Sequence, residues 1–119
     1  MHFTRALLAQ LAELGIPQAF VTLHIGWGTF KPIRTELRRH RMLPESFEVK
    51  ESVARDLVRA RSEDRRIVAV GTSVVRTLES SLGSDGRACP GRGRTELVIH
   101  PPRSVRSVDA LVTNFHLPR

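Results

Sequence analysis

The sequence lacks several features that would assign it to a special class of protein. It has one cysteine, Cys89, which excludes an internal disulfide and a cysteine-based zinc cluster. It has no apolar run of membrane-spanning length, and its first ten residues lack the uninterrupted apolar core of a signal peptide. The composition, 40% hydrophobic and 26% charged, is typical of a globular domain. We therefore expect a cytoplasmic protein.

Aromatic residues are also scarce. They make up 5% of the chain, and tyrosine is absent. Proteins that bind single-stranded nucleic acid by base stacking need several exposed aromatic rings. A broad base-stacking platform is therefore not expected.

Basic charge is abundant and comes almost entirely from arginine. The net charge is +7, and 17 of the 19 basic residues are arginine. The arginines concentrate in two stretches, 34–41 and 86–94. The arginine fork matches phosphate groups, which favours a polyanionic partner, but a GC-rich genome also favours arginine codons. Charge alone leaves both interpretations open.

The apolar pattern predicts helices that alternate with strands. Thr4 is placed to cap the first helix, which Gly15 would end. We predict helices over 5–14 and 72–82, and between them one indicated by the spacing of Val53, Leu57 and Ala60. Strands are predicted over 18–24, 66–71, 95–100 and 108–115. Segment 31–47 is predicted to be irregular with short strand pieces such as 46–49, and segment 83–94 to be a basic loop. This order predicts an α/β fold with a mainly parallel sheet and flanking helices.

Unusual residues follow three of the predicted strands. The first strand ends at His24, the second at Gly71-Thr72-Ser73, and the last at Asn114 and His116. Ligands of open α/β sheets bind beyond the carboxyl ends of the strands. If the strands are parallel neighbours, these three ends meet at one edge of the sheet.

Each of these motifs also has an ordinary structural explanation. Thr72 or Ser73 could simply be the N-cap of the following helix, or the helix N-terminus could bind an anion. Arg76 and Glu79 could form a surface ion pair on one helix face. His24 and His116 lack the spacing and the carboxylate neighbours of a zinc site, so no metal is expected.

Taken together and in order, the motifs are more specific. The chain contains VTLHIGWGTF, VAVGTSVVRTLES, GRGRTELVIHPP and VDALVTNFHLP. In these motifs it resembles the S-adenosylmethionine:tRNA ribosyltransferase-isomerases of queuosine biosynthesis. The resemblance runs along nearly the whole chain but covers roughly a third of a family member. It implies that residues 1–119 are part of the α/β catalytic domain of a larger two-domain enzyme.

The resemblance implies an unusual use of S-adenosylmethionine, as a ribosyl donor. The ribosyl unit is moved onto 7-aminomethyl-7-deazaguanine at the tRNA wobble position, and epoxyqueuosine forms while adenine and methionine leave. S-adenosylmethionine is then a substrate, and no cofactor, metal or membrane is involved. The full-length enzyme is expected to be a monomer.

The resemblance also implies roles for particular residues. The catalytic residues are expected to be His24 and His116. Glycines would let a flat base approach the backbone closely. Substrate-binding residues are expected to be Gly26, Gly28, Thr29, Phe30, Thr72, Ser73, Arg76 and Asn114. Residues that bind tRNA are expected to be Arg38, Arg39, Arg41, Arg92 and Arg94.

Two further expectations complete this interpretation. The alternative, from another functional class, is that the chain is a non-catalytic RNA-binding relative that retains the fold. We also expect these 119 residues to be inactive alone and to associate, because the last strand would have an uncovered apolar face.

Overall fold

The computed structural model describes residues 3–26 and 42–114. These residues form three helices and five short strands. The helices are α1 (Arg5–Glu13), α2 (Glu51–Ser62) and α3 (Thr72–Ser80). The strands are β1 (Thr22–His24), β2 (Glu45–Val49), β3 (Val68–Val70), β4 (Gly91–Thr95) and β5 (Ala110–Val112). In the described part of the chain, no helix is both long and apolar enough to cross a membrane.

The three predicted helices are confirmed. The Thr4 hydroxyl accepts the N–H of Leu7 and caps α1. Gly15, with φ of 70°, follows the end of that helix, as left-handed glycines often do. The helix α2 buries Val53 and Ala54, and α3 buries Val75 and Leu78.

The prediction of a mainly parallel sheet is wrong. The strands form two sheets, an antiparallel one in the order β1-β2-β4 and a parallel pair of β3 and β5. The strand piece expected within 46–49 is confirmed as part of β2. Its alternating burial is typical of an antiparallel strand with one covered face.

The fourth strand begins earlier than its sequence suggests. It occupies Gly91–Thr95, inside the segment expected to be a basic loop, and the predicted strand at 95–100 is therefore wrong beyond Thr95. The sequence Gly-Arg-Gly-Arg-Thr has no apolar residue and two glycines, both of which disfavour a strand. Pairing with β2 along its whole length overrides this weak propensity.

The main core lies between the antiparallel sheet and α2. It consists of Phe47 and Val49 from β2 with Val53 and Ala54 from α2, and further apolar side chains pack against it: Val21, Leu23 and Leu57. Phe47 lies directly opposite Gly93 in β4. A Cβ atom at position 93 would lie 2.7 Å from Cζ of Phe47, so glycine is needed there for steric reasons. Among the described residues, the side chains on the other face of this sheet are exposed, except for half-buried Glu48.

Candidate functional site

The N-terminus of α3 lies where the two parallel strands end. Val70 of β3 pairs with Val112 of β5, and the Gly71 N–H donates to the Val112 carbonyl at 2.9 Å. The convergence predicted for these two strand ends is thereby confirmed. Thr72 and Ser73 begin the helix here, and Asn114 is exposed two residues beyond β5.

The expected side-chain cap of α3 is absent. Gly71 is the N-cap residue, and neither Thr72 nor Ser73 makes a capping hydrogen bond. The backbone of Gly71 has φ of 97° and ψ of 142°, a conformation that residues with a Cβ rarely adopt. The prediction of a hydroxyl cap is therefore wrong, because the glycine before the two hydroxyl residues takes that position.

A cleft of about 410 Å³ lies beside the start of α3. Thr72, Ser73 and Arg76 contribute its polar side. Much of the remaining lining is apolar and comes from β1, β5 and the segment after β4: Leu23, Ile25, Leu97, Val98, Val105 and Leu111. An apolar cleft with a few polar groups at one side suits a flat, partly polar ligand.

His24 does not line this cleft. Its neighbours Leu23 and Ile25 do, and alternation along β1 puts the imidazole on the opposite face of the sheet. His24 lies opposite Ser46, which lies opposite Arg94. The expectation that His24 would meet Thr72 and Ser73 at one sheet edge is wrong for its side chain, because β1 belongs to the antiparallel sheet.

The solvent face of the antiparallel sheet instead joins His24 to two predicted RNA-binding residues. We call it the outer face; it carries two cross-strand rows, His24-Ser46-Arg94 and Thr22-Glu48-Arg92. His24, Arg92 and Arg94 border one open groove of about 510 Å³. Arg92 Nε lies 3.3 Å from Glu48 Oε2, whereas Arg94 has no ion pair among the described residues.

Arg76 makes a different contact from the one its sequence position suggests. Its Nη1 donates to Glu45 Oε2, and its Nη2 donates to the Thr95 carbonyl at 3.4 Å. The side chain is only 11% exposed and that of Glu45 only 2%. The alternative of a surface ion pair between Arg76 and Glu79 is therefore wrong. Arg76 still borders the cleft, but its guanidinium group is paired with the carboxylate of Glu45.

Glu45 was missed by sequence reasoning. Its Oε1 accepts the N–H of Gly26 at 2.9 Å, while Oε2 accepts from Arg76. It therefore connects the first glycine after β1 to α3. The sequence offers only a weak signal, a glutamate at an inward position of an alternating strand.

Glu79 holds a separate loop. Its Oε1 accepts the consecutive backbone N–H groups of Arg106 and Ser107, each at 2.6 Å. Burial raises the pKa of this carboxyl, but the hydrogen bonds from Ser107 and Arg106 and the nearby charge of Arg103 outweigh burial. The net effect is a pKa below its ordinary value.

Asp109 joins the amino ends of β3 and β5. Its Oδ2 accepts the N–H of Ile67 at 2.7 Å, and its Oδ1 pairs with Arg61 at 2.7 Å. The hydrogen bond from Ile67, and after it the one from Arg61, lower the pKa of Asp109. This contact lies at the opposite end of the parallel pair from the cleft.

Several predicted site residues lie outside the described residues: Gly28, Thr29, Phe30, Arg38, Arg39, Arg41 and His116. Their roles stay predictions. Within residues 3–26 and 42–114, no three histidine, cysteine, aspartate or glutamate side chains are grouped to hold a metal. The absence of a metal from the reaction also stays a prediction.

A comparison with protein-family models decides the family. The model described as queuosine biosynthesis protein matches residues 1–119. The chain belongs to this family. The resemblance seen in the motifs is thereby confirmed.

Individual relatives agree with this assignment. The chain is 56% identical to an S-adenosylmethionine:tRNA ribosyltransferase-isomerase of Anaeromyxobacter dehalogenans, over all of this chain and 34% of the relative. It is 48% identical to the enzyme of that name from Thermus thermophilus, again over all of this chain and 34% of the relative. It therefore spans about a third of the length of these relatives.

A solved structure shows the same fold. It is the crystal structure of S-adenosylmethionine tRNA ribosyltransferase from Thermotoga maritima, which is 39% identical with a TM-score of 0.75. The match covers 99% of this chain and 36% of that one. The α/β class is thus confirmed, with a mixture of antiparallel and parallel pairing in place of a mainly parallel sheet.

Proposed function

We propose that this chain forms part of an enzyme that transfers and isomerises the ribosyl moiety of S-adenosylmethionine. The acceptor is 7-aminomethyl-7-deazaguanine at the wobble position of tRNA. The product is epoxyqueuosine, and adenine and methionine are released. The relatives' names support the transfer from S-adenosylmethionine to tRNA, and the motif resemblance supports the acceptor and the product. We expect the reaction to occur in the cytoplasm and the full-length enzyme to be a monomer.

The proposal rests on the cleft beside α3. Its apolar lining can hold the flat adenine or the ribosyl carbon atoms, and Thr72 and Ser73 provide polar contacts at its side. The start of α3 presents the positive end of the helix dipole, which favours the donor's methionine carboxylate. Asn114 is close in the fold, because it follows the strand that pairs with β3.

The proposed chemistry begins at the donor's sulfonium. Its positive charge acidifies the adjacent 5′-carbon, so a base can remove a proton there, and adenine must be protonated as it departs. Histidine titrates near neutral pH and suits either step. We propose His24 and His116 for these steps. Because His24 is on the outer face, its participation requires the reacting group to reach that side of the sheet.

The outer face is the proposed tRNA-facing surface of the described part. Arg92 and Arg94 project from it beside His24, and both are exposed. Exposed arginines on an open face can contact phosphates without any rearrangement of the protein core. We propose that Arg38, Arg39 and Arg41 extend this surface.

The decisive experiment is an adenine-release assay. Because the chain spans a third of its relatives, we define a chimera in which it replaces the matching third of the Anaeromyxobacter dehalogenans relative. The chimera is mixed with S-adenosylmethionine and tRNA that carries the precursor base, and adenine is quantified. The intact relative is the positive control, and the isolated chain is assayed in parallel.

We expect adenine release by the chimera that depends on both substrates, and none by the isolated chain. A folded chimera that binds tRNA without releasing adenine would contradict the proposal. That result would favour the non-catalytic RNA-binding alternative.

A further inference from the structure

The strongest unassigned feature is the buried carboxylate of Glu45. Its two oxygens contact different parts of the fold, the Gly26 N–H at 2.9 Å and the Arg76 guanidinium. The residue is 3% exposed. Burying a carboxylate carries a large cost unless its oxygens are hydrogen-bonded and its charge is paired. Both conditions are met by Gly26 and Arg76, and Arg76 borders the cleft.

These two partners come from separate parts of the chain. Gly26 lies 19 residues before Glu45, and Arg76 lies 31 residues after it. Gly26 is the first glycine of the Gly26-Trp27-Gly28 sequence, and Arg76 is one turn into the helix whose start borders the cleft. One side chain, that of Glu45, therefore connects the two.

Arg76 is fixed from a second direction by β4. Its Nη2 donates to the Thr95 carbonyl at 3.4 Å, and Thr95 Oγ1 lies 2.6 Å from Ser80 Oγ on α3. Both contacts tie α3 to the sheet. Glu45 extends this connection to Gly26, whose N–H it accepts.

We propose that Glu45 is a positioning residue for the reaction, which holds Gly26 in register with the N-terminal half of α3. This inference rests on the proposed function. Glu45 acts through Gly26 and Arg76 and does not itself touch the substrate. A preformed site of this kind increases turnover, because misplacement of reacting groups by about 1 Å can reduce rates about a hundredfold.

The test is Glu45→Gln, with Glu51→Gln as the control. Glu51 is an exposed glutamate on α2 that pairs with exposed Arg55 and borders neither the cleft nor the outer face. The glutamine keeps the shape of Glu45 but presents one oxygen acceptor in place of two, so both contacts cannot persist. Two readouts are used, both in the chimera: hydrogen exchange of the Gly26 amide, and kcat and KM for S-adenosylmethionine.

We expect faster exchange at Gly26 and a fall in kcat of about tenfold to a hundredfold, with KM changed less than about threefold. Glu51→Gln should leave both readouts unchanged. Unchanged Gly26 exchange, or an equal loss in both variants, would overturn the proposal. A parent chimera that folds and binds tRNA but releases no adenine would reject the proposed function, and Gly26 exchange would then decide the positioning proposal.

If Glu45→Gln does not fold, Glu45→Asp is the variant that tests the proposal. It keeps the charge against Arg76, but its side chain is one methylene shorter and cannot reach both partners. The same faster exchange at Gly26 and the same selective loss of kcat are expected. Parent-like exchange and turnover in this variant would also overturn the proposal.

Discussion

Glu79 on α3 accepts the backbone N–H of Ser107, 28 residues later in the chain, at 2.6 Å. The same oxygen accepts the N–H of Arg106. The segment before β5 is therefore attached to α3 by a buried carboxylate. Protonation of this carboxylate weakens the attachment, which makes the stability of the fold depend on pH.

The first prediction concerns this pH dependence. Because the pKa of Glu79 is lowered in the folded state, its contribution is present above the ordinary value of 4.5. That contribution is lost as the pH falls through the folded-state pKa. Glu79→Gln should reduce the free energy of unfolding of the chimera by about 1.5–3 kcal/mol at pH 7. The difference from the parent should shrink below about pH 4.5.

Denaturant titrations from pH 7 to pH 3 measure this difference. Exposed Glu96 provides the control, since Glu96→Gln should have little effect at any pH. A Glu79→Gln difference that stays constant or grows with acidification would contradict the assigned role.

The second prediction concerns His24. His24→Gln in the chimera should lower kcat by about 10²–10⁴-fold, the usual range for a lost general acid or base. Binding of S-adenosylmethionine should change little. Ser46→Ala is the control, because Ser46 lies directly opposite His24 on the same face. A raised KM for tRNA with an unchanged kcat would assign His24 to RNA contact instead.

The third prediction concerns the arginines of the outer face. Arg94→Gln should reduce the salt dependence of tRNA binding, since each phosphate contact contributes about 0.7–0.9 to the log–log slope. Arg92→Gln should have a smaller effect, because Arg92 is already paired with Glu48. Affinities are measured from about 50 to 300 mM salt, over which the Debye length falls by a factor of about 2.4. Arg55→Gln on α2 is the control, and slopes equal to the parent's would reassign both arginines to solvated surface.

The fourth prediction concerns packing between β2 and β4. Gly93→Ala should destabilise the fold by about 1–3 kcal/mol, because the new methyl group meets the Phe47 ring. The smaller side chain in Phe47→Leu should remove this clash. A double-mutant cycle should therefore show that the alanine costs less in the Phe47→Leu background. Additive effects would show that the two residues do not contact each other.

The fifth prediction concerns the parallel pair of strands. Val68, Val70, Leu111 and Val112 are 43–52% exposed, which leaves apolar surface open on both strands. The chain alone should therefore associate and unfold with little cooperativity. Light scattering and a thermal melt test this, and replacing Val68 and Val112 by threonine should reduce association. A monomer with a sharp transition would contradict the prediction.

Sequence reasoning succeeded where the signals are local. The cap at Thr4, the glycine at position 15 and the apolar spacing along α2 each act within a few residues, and all three helices were predicted. It failed for β4, whose residues have low strand propensity and are held by pairing with a distant partner. Strand order could not be deduced because β1 and β2 pair across the long segment between them.

The same distinction between local sequence signals and contacts with distant residues applies to the candidate site. The glycine and hydroxyl residues at the start of α3 could be identified because such residues often mark a helix start. Glu45 could not, because its importance depends on where Gly26 and Arg76 lie in three dimensions. The side of the sheet that His24 faces likewise depends on the register of β1 with β2.

The pairing of β3 with β5 also bears on how the protein folds. Ile67 and Asp109, which hold the start of this pair, are 42 residues apart. Closing so long a loop costs chain entropy before any strand contact is gained, and such non-local pairing slows folding. The α2–β3–α3 segment is complete in sequence before β5 is synthesised. We therefore expect β5 to pair with β3 late during folding. Until then, the edge of β3 that pairs with β5 would have unsatisfied backbone hydrogen-bonding groups.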